Sequence, residues 1–416
     1  MPRPTFCIVG SGMAGGRAAG ALRDLGFDGR LLLLGEEPEP PYERPPLSKA
    51  YLNGELPRNK LFLRPAAYYP EQEIEWRPGV SALALDLDDR RLQLSDGELV
   101  RFDRLLLATG STPTALGVPG AQLPGVLTYR TLEDCERLTA ELDHHPQVVV
   151  VGGGFLGTEL AAAARHRGCR VSLIELAPSL VSPLGEAVGE FCAQLHMDAG
   201  VELLLGERVR RFAGTERVEL VELESGATVP CDLALICVGA RPNSGLAETA
   251  GLATDPGVVV DEHCRTASPE VLAAGDIASW WSPRWARRLR LEHYDNAQHQ
   301  GLYAAQAMLG ETAPYDPLPY FWTEQYGVMI QLAGMVPSAE RGVVRGDPLS
   351  GRFSVFHLGQ GRLRGCVAVN RFPDLAAARR LIVARVEVSV ERLQDPLFDL
   401  RSWSQEVAEL AGAPGG

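Results

Sequence analysis

A short apolar segment, Phe6–Val9, runs directly into Gly10, Gly12 and Gly15 in G-x-G-x-x-G spacing. A helix rich in small residues follows and ends near Gly26. A second apolar run, "RLLLLGEE", then places Glu36 about 20 residues beyond Gly15, completing a strand–turn–helix–strand–acid unit. In such a unit the glycines let the backbone approach a pyrophosphate at the helix N-terminus, and the acid accepts hydrogen bonds from a ribose. The pattern recurs. A strand over 147–151 leads into Gly152, Gly154 and Gly157, a helix reaches about Arg167, and the next strand ends at Glu175. A single such turn is weak evidence, but glycine turns serving only helix–strand packing would here have to arise twice. A carboxylate at Glu175 suits a free 2′-hydroxyl and repels a 2′-phosphate. The following "ELAPSLVSP" carries no arginine, so NADH is preferred over NADPH.

The chain of 416 residues is too long for one ordinary core, and 45% hydrophobic with 22% charged residues is a globular balance. A net charge of −13 argues against a nucleic-acid binder, which needs a basic footprint. The eight cysteines form no CxxC pair and no zinc-type cluster, so no metal site is expected. Several lie in apolar runs, such as Cys7 and Cys237, and read as small buried hydrophobes in a reducing compartment. No segment approaches the length of a membrane span, and the first strand begins too early for a leader. The expectation is a cytoplasmic bacterial protein without a membrane partner.

Two dinucleotide units imply two dinucleotides, one of them FAD, and here the sequence resembles the FAD-dependent pyridine nucleotide–disulfide oxidoreductase superfamily. Within it the chain is most similar to the NADH:ferredoxin reductases of bacterial oxygenase and P450 systems, of the putidaredoxin and rubredoxin reductase type. The segments that carry the resemblance are "VGSGMAGGRAA", "PYERPPLSK", "LLLATGSTP", "VVGGGFLGTELAA", "CVGARPN", "LAAGDIA", "LEHYDNAQHQG" and "PYFWTEQYGVMIQLAG", in family order along nearly the whole chain. The implied fold is α/β: two Rossmann-like dinucleotide-binding domains, for FAD and NAD, plus a small α+β C-terminal domain. The FAD domain is discontinuous, 1–113 and 245–316; the NAD domain is 114–244; the last domain is 317–416. In that last part, "GRFSVFHLGQGRLRGCVAVN" alternates about Gly359-Gln360-Gly361, a hairpin signal, and "DLAAARRLIVA" reads as a helix capped by Asp374.

Many superfamily members carry redox-active cysteine soon after the first acid. Here no cysteine occurs between Leu31 and Cys135, so a thiol relay there is excluded. By resemblance, Lys49 of "PPLSK" lies near flavin N5 and pairs with Glu159 of the second glycine motif. These are the catalytic candidates, with a solvated loop lysine and an outward helix glutamate as the plain alternatives. Arg44 would face the FAD phosphates or adenine, or pair with Glu43 or Glu39, while Pro45 and Pro46 stiffen its loop. Thr109 and Gly110 would end a strand against the cofactor, and Gly239 marks the return crossing. Gly275 and Asp276 of "LAAGDIA" would reach the ribityl and pyrophosphate, Asp276 alternatively capping a helix. His293, Tyr294 and Ala297 would border the flavin, His293 through a structural hydrogen bond rather than acid–base chemistry. Trp322 would pack near the isoalloxazine, in the core of the last domain, or both. Glu324 stands where relatives carry aspartate. After Glu175, relatives have two arginines where this chain has Ser179 and, near the second, Pro183, which predicts a weaker hold on NADH.

The implied activity is hydride transfer from NADH to flavin N5, then single-electron transfer to a ferredoxin, 2Fe-2S in type, serving a P450 or Rieske-type oxygenase. Ferredoxins are usually acidic, and Arg284, Arg287, Arg288 and Arg290 in "WWSPRWARRLRLEHY" offer a local basic docking run, or simply a solvated face. Both a monomer and a homodimer are compatible with the family. An NADH oxidase or NADH:quinone flavoprotein remains an alternative, as does an apoptosis-inducing-factor-like binding protein, which the acidic balance disfavours.

Overall fold

The computed structural model describes residues 3–336 and 342–410. Contacts divide the chain into two compact units, one of residues 1–46, 56–112 and 240–317, the other of residues 47–55, 113–239 and 318–416.

The first unit is built on a five-stranded sheet in the order Val271–Ala273, Arg104–Leu107, Thr5–Val9, Arg30–Gly35, Ile74–Pro78. All neighbours are parallel. Its central strands are apolar beyond their first residue, and Leu31, Leu32 and Leu33 are fully buried. A parallel sheet covered on both faces needs such runs, because neither side of the strand meets water. The helix Met13–Asp24 leaves the central strand through the first glycine turn and packs on the helix Tyr294–Met308. Their close approach rests on small residues: a Cβ at Gly301 would strike the Ala14 backbone. A smaller sheet ends in the strand Arg287–Leu289, antiparallel to Ala278–Ser282.

The second unit repeats the plan. Its parallel sheet runs Val201–Leu205, Arg170–Glu175, Gln147–Val151, Leu233–Ile236, Val126–Thr128. Val148, Val149 and Val150 are essentially inaccessible, each side chain stabilising the fold by about 1.5–3 kcal/mol. Residues 318–410 of the same unit form an antiparallel sheet in the order Tyr320–Gln325, Val328–Gly334, Arg362–Val369, Arg352–Gly359, Val343–Asp347. The hairpin turns at Gln360-Gly361, both with positive φ, as its Gly-Gln-Gly signal predicts. The helix after it spans Phe372–Ala384 with Arg371 at the N-cap. Asp374 therefore sits inside the first turn rather than capping it. Its carboxylate instead accepts from Arg371 Nε at 2.6 Å and Ser354 Oγ at 3.0 Å, and it faces buried Arg345. The demand of two arginines outweighs the cap preference.

Among the described residues, no helix is long and apolar enough to cross a membrane.

Candidate active site

In the first unit Gly10 has a φ of +110°, and a Cβ there would land on the Ala108 carbonyl. A Cβ at Gly15 would overlap the Gly10 carbonyl, so this glycine lets helix and strand touch. Gly12 differs: it is the N-cap, no side chain caps the helix, and the space beyond its Cα is open for 4 Å. Gly152, Gly157 and Gly154 repeat these three roles in the second unit, with Gly152 at +107° and Gly154 the open, uncapped N-terminus. A helix end left without a capping side chain and facing open space fits a pyrophosphate, whose charge the exposed N–H groups and the helix dipole favour.

The acids after the two units differ. Glu175 is anchored by backbone donors, Gly153 N–H at 2.5 Å and Ala177 N–H at 2.6 Å, which holds the carboxylate beside the second glycine turn. Around it, Leu176, Pro178, Ser182 and Pro183 are exposed and Ser179 half-buried, and no arginine stands among them. Glu36 is exposed and accepts from Ser81 Oγ at 3.2 Å. Its neighbour Glu37 is committed to Arg44 at 2.6 Å and to the Tyr42 hydroxyl. Arg44 thus pairs with Glu37, and its guanidinium also lies 5.1 Å from the Tyr42 ring centroid.

Asp276 is buried and accepts from Ser111 Oγ at 3.0 Å; the chain beyond it enters the strand Ala278–Ser282, so it caps no helix. Gly275, with a φ of +82°, donates its N–H to Gln300 Oε1 and packs on Ala14, with Ala297 close by. Thr109 Oγ1 is taken up by the Asn243 carbonyl at 2.9 Å, and Asn243 returns a bond to the Thr109 carbonyl, tying two segments of the unit together. Gly110 and Gly239 both have positive φ. His293 is the N-cap residue of Tyr294–Met308, without a side-chain cap bond. The Tyr294 hydroxyl donates to Glu43 at 2.8 Å, and burial pushes its pKa up to about 12.

The chain segment Pro45–Ser48 is a 3-10 turn that delivers Ser48 and Lys49 into the second unit. There Tyr129 hydroxyl and Cys135 Sγ both bond the Leu47 carbonyl, at 2.5 and 3.3 Å. Lys49 Nζ lies 2.6 Å from Glu159 Oε2, with side-chain exposures of 18% and 7%. A carboxylate so buried needs compensation beyond one cation. It receives it from Ser48 Oγ, 2.5 Å from Oε2, and from Thr323 Oγ1, 2.6 Å from Oε1. Thr323 comes from the strand Tyr320–Gln325, whose inward residues Phe321, Thr323 and Gln325 lie on the first turns of the helix Phe155–His166. The Phe321 ring is tilted by 44° against that of Phe155, with centroids 4.2 Å apart, and Gln325 Nε2 donates to Thr158 Oγ1 at 2.7 Å. Trp322, half-buried, is on the opposite face of that strand, stacked on Tyr320, and Glu324 beside it is exposed.

The eight cysteines are all free, seven of them buried and Cys237 partly exposed. Burial raises every thiol, to about 12 for Cys7, Cys192, Cys231 and Cys237, so none has the thiolate character of a redox centre. The arginine run separates into two kinds. Arg284 faces Asp316 at 3.5 Å, and Arg290 pairs with Glu292 at 2.5 Å and bonds the Asp276 carbonyl. Arg287 and Arg288 are exposed on the edge strand, although Arg288 also bonds the carbonyls of Val260 and Ser279.

Ser48, Thr323 and Gln325 were not singled out by sequence. The alternation in "YFWTEQ" of a strand with polar inward residues was the signal for Thr323 and Gln325; Ser48 had none. A second overlooked signal concerns Lys49. Lys49 and Lys60 are the only lysines among 40 basic residues, so the chain supplies positive charge almost wholly as arginine and keeps an ammonium at this half-buried position.

Two glycine-cradled parallel-sheet units, one bearing a buried lysine–glutamate pair, define a two-dinucleotide oxidoreductase. The chain belongs to the pyridine nucleotide-disulphide oxidoreductase family, which matches residues 4–301, and carries a reductase C-terminal domain over residues 320–404. It is 38% identical over 399 residues to rhodocoxin reductase of Rhodococcus erythropolis, covering 95% of this chain and 93% of that protein. Identity is also 38% to the benzene 1,2-dioxygenase system ferredoxin–NAD(+) reductase subunit of Pseudomonas putida, over 95% of this chain and 96% of the relative. Among solved structures, the covalent putidaredoxin reductase–putidaredoxin complex superposes with a TM-score of 0.93 at 34% identity, over 99% of this chain and 100% of that one.

Proposed function

We propose that the protein is an FAD-dependent NADH:ferredoxin reductase serving a P450 or Rieske-type oxygenase, with a 2Fe-2S ferredoxin as its partner. The observation that carries this reading is the Lys49–Glu159 pair, with Lys49 on a stretch of chain, between Leu31 and Cys135, that has no cysteine. FAD, when bound, accepts a hydride from NADH and returns the electrons singly. Segments 1–113 and 245–316 make up the FAD domain, 114–244 the NAD domain, and 317–416 the C-terminal α+β domain. Gly10, Gly12 and Gly15 take the FAD pyrophosphate, with Glu36, Arg44, Asp276 and the backbone at Gly110 and Gly275 along the rest of the cofactor. Gly152, Gly154 and Gly157 take the NADH pyrophosphate, and Glu175 its adenosine ribose. Lys49 supplies a fixed positive charge where negative charge develops, and Glu159 holds that side chain in place.

Of the four arginines, Arg287 and Arg288 are the docking candidates, because Arg284 and Arg290 are already committed to carboxylates of their own unit. The test is NADH-dependent cytochrome c reduction with and without an added 2Fe-2S ferredoxin. A ferredoxin reductase requires the ferredoxin for fast turnover. Equal turnover without it, or with oxygen or quinone alone, overturns the reading. Glutamate at both Arg287 and Arg288 should raise the KM for ferredoxin and flatten its salt dependence, leaving NADH–ferricyanide turnover unchanged.

A further inference from the structure

We propose that Thr323 is a positioning residue that occupies Glu159 Oε1, so that Oε2 alone is presented to position 49, and that this arrangement selects lysine there. The proposal rests on the reading of Lys49 and Glu159 given above. The hydrogen bonds leading to Thr323 have a fixed direction. Thr158 Oγ1 donates to the Gly154 and Phe155 carbonyls, so it accepts from Gln325 Nε2 at 2.7 Å. The Gln325 amide is thereby oriented, its Nε2 also 3.4 Å from Thr323 Oγ1. Gln325 Oε1 then accepts from His196 Nε2 at 3.0 Å, and the other ring nitrogen of His196 accepts from the Tyr326 hydroxyl at 3.1 Å. His196, Gln325, Thr323 and Thr158 are at most 1% exposed. With its lone pairs approached by Gln325, the Thr323 hydroxyl turns its proton to Glu159 Oε1. The bonds from Tyr326 through His196, Gln325 and Thr323 all donate toward the carboxylate, while the Gln325–Thr158 bond anchors the amide to the helix backbone.

The consequence for position 49 is geometric. Oε2 accepts from Ser48 Oγ and Lys49 Nζ, and Lys49 Nζ also lies 3.4 Å from Ser48 Oγ. An ammonium is a point charge whose donors suit one oxygen and a neighbouring hydroxyl. A guanidinium makes its strong contact through two parallel bonds to both carboxylate oxygens, and Thr323 already holds one of them. A chain that otherwise uses arginine almost throughout has a physical reason to keep lysine here.

The experiment uses the FAD-loaded full chain and the Thr323→Val and Thr323→Ser variants. Acylation by acetic anhydride is followed by mass spectrometry at Lys49, with exposed Lys60 as the internal reference. Thr323→Val should raise the Lys49/Lys60 labelling ratio several-fold, because a carboxylate with one buried oxygen unpartnered holds its cation less well. In stopped-flow reduction by NADH, the limiting rate should fall about tenfold or more while the apparent Kd for NADH stays within about twofold. Thr323→Ser should restore both. An unchanged or lower labelling ratio in Thr323→Val overturns the proposal, as does a serine variant as impaired as the valine one. If Thr323→Val fails to fold, flavin reduction by NADH at the parental limiting rate in Lys49→Arg overturns the selection of lysine on its own. A raised labelling ratio with an unaltered reduction rate supports the positioning of Glu159, and instead refutes the assignment of the pair to hydride transfer.

Discussion

Replacing Lys49 by methionine tests whether the buried pair is a functional arrangement or a stabilising contact. The ammonium and carboxylate are 2.6 Å apart, and Glu159 is only 7% exposed. Methionine retains most of the aliphatic stem, so packing is nearly conserved while the charge is lost. Glu159 keeps Ser48 and Thr323 as donors, but among the described residues Lys49 is its one ion-pair partner. Breaking one side of such a pair costs about 3–5 kcal/mol, and the retained hydroxyl donors place this case at the lower end. Glu159→Gln in the same chain should regain most of that loss, since a neutral amide no longer requires a counter-charge. The assay is the urea midpoint of the four members of the double-mutant cycle, alongside the limiting rate of flavin reduction by NADH. Stability should recover in the double variant and the reduction rate should not. Additive stability changes with no coupling, or reduction at the parental rate in Lys49→Met, would refute the argument.

Gly15→Ala should abolish FAD retention, read from the flavin-to-protein absorbance ratio, because the added methyl meets the Gly10 carbonyl with no flexible group to yield. Gly157→Ala should instead spare FAD and weaken NADH binding by at least tenfold, the methyl meeting the Gly152 carbonyl. Ser179→Arg should lower the KM for NADH several-fold by restoring a positive charge to a segment that has none, while Glu175 keeps the preference for NADH. His196 and His357 are buried, and desolvation lowers each from 6.5 to about 4. Between those values the unfolded chain binds a proton that the native chain does not, so stability rises with pH through that window and is lost as pH falls from 6.5 toward 4. Each histidine accounts for about 3 kcal/mol of this loss; His357→Leu should flatten the pH dependence of the thermal midpoint by about half.

Both glycine turns were legible in sequence because their constraints are local. A positive φ at Gly10 and Gly152, and the contact of Gly15 with Gly10, arise within a few residues of chain. The apolar runs were equally readable, since a strand buried on both faces has no polar positions to alternate. The helix Phe372–Ala384 starts three residues earlier than the sequence suggests because Asp374 looks like a cap until Arg345, from a separate strand, is seen beside it. The arginine run looked uniform because sequence does not reveal which members already have carboxylate partners.

The sequence alone therefore determined the two dinucleotide units, the absence of a thiol relay and the presence of Lys49 in its proline-stiffened turn. Only the tertiary structure decided what surrounds Glu159. Its hydroxyl donors come from 111 residues earlier and 164 residues later in the chain. Hydrogen bonds of that range depend on how strand and helix pack, and no local spacing records them.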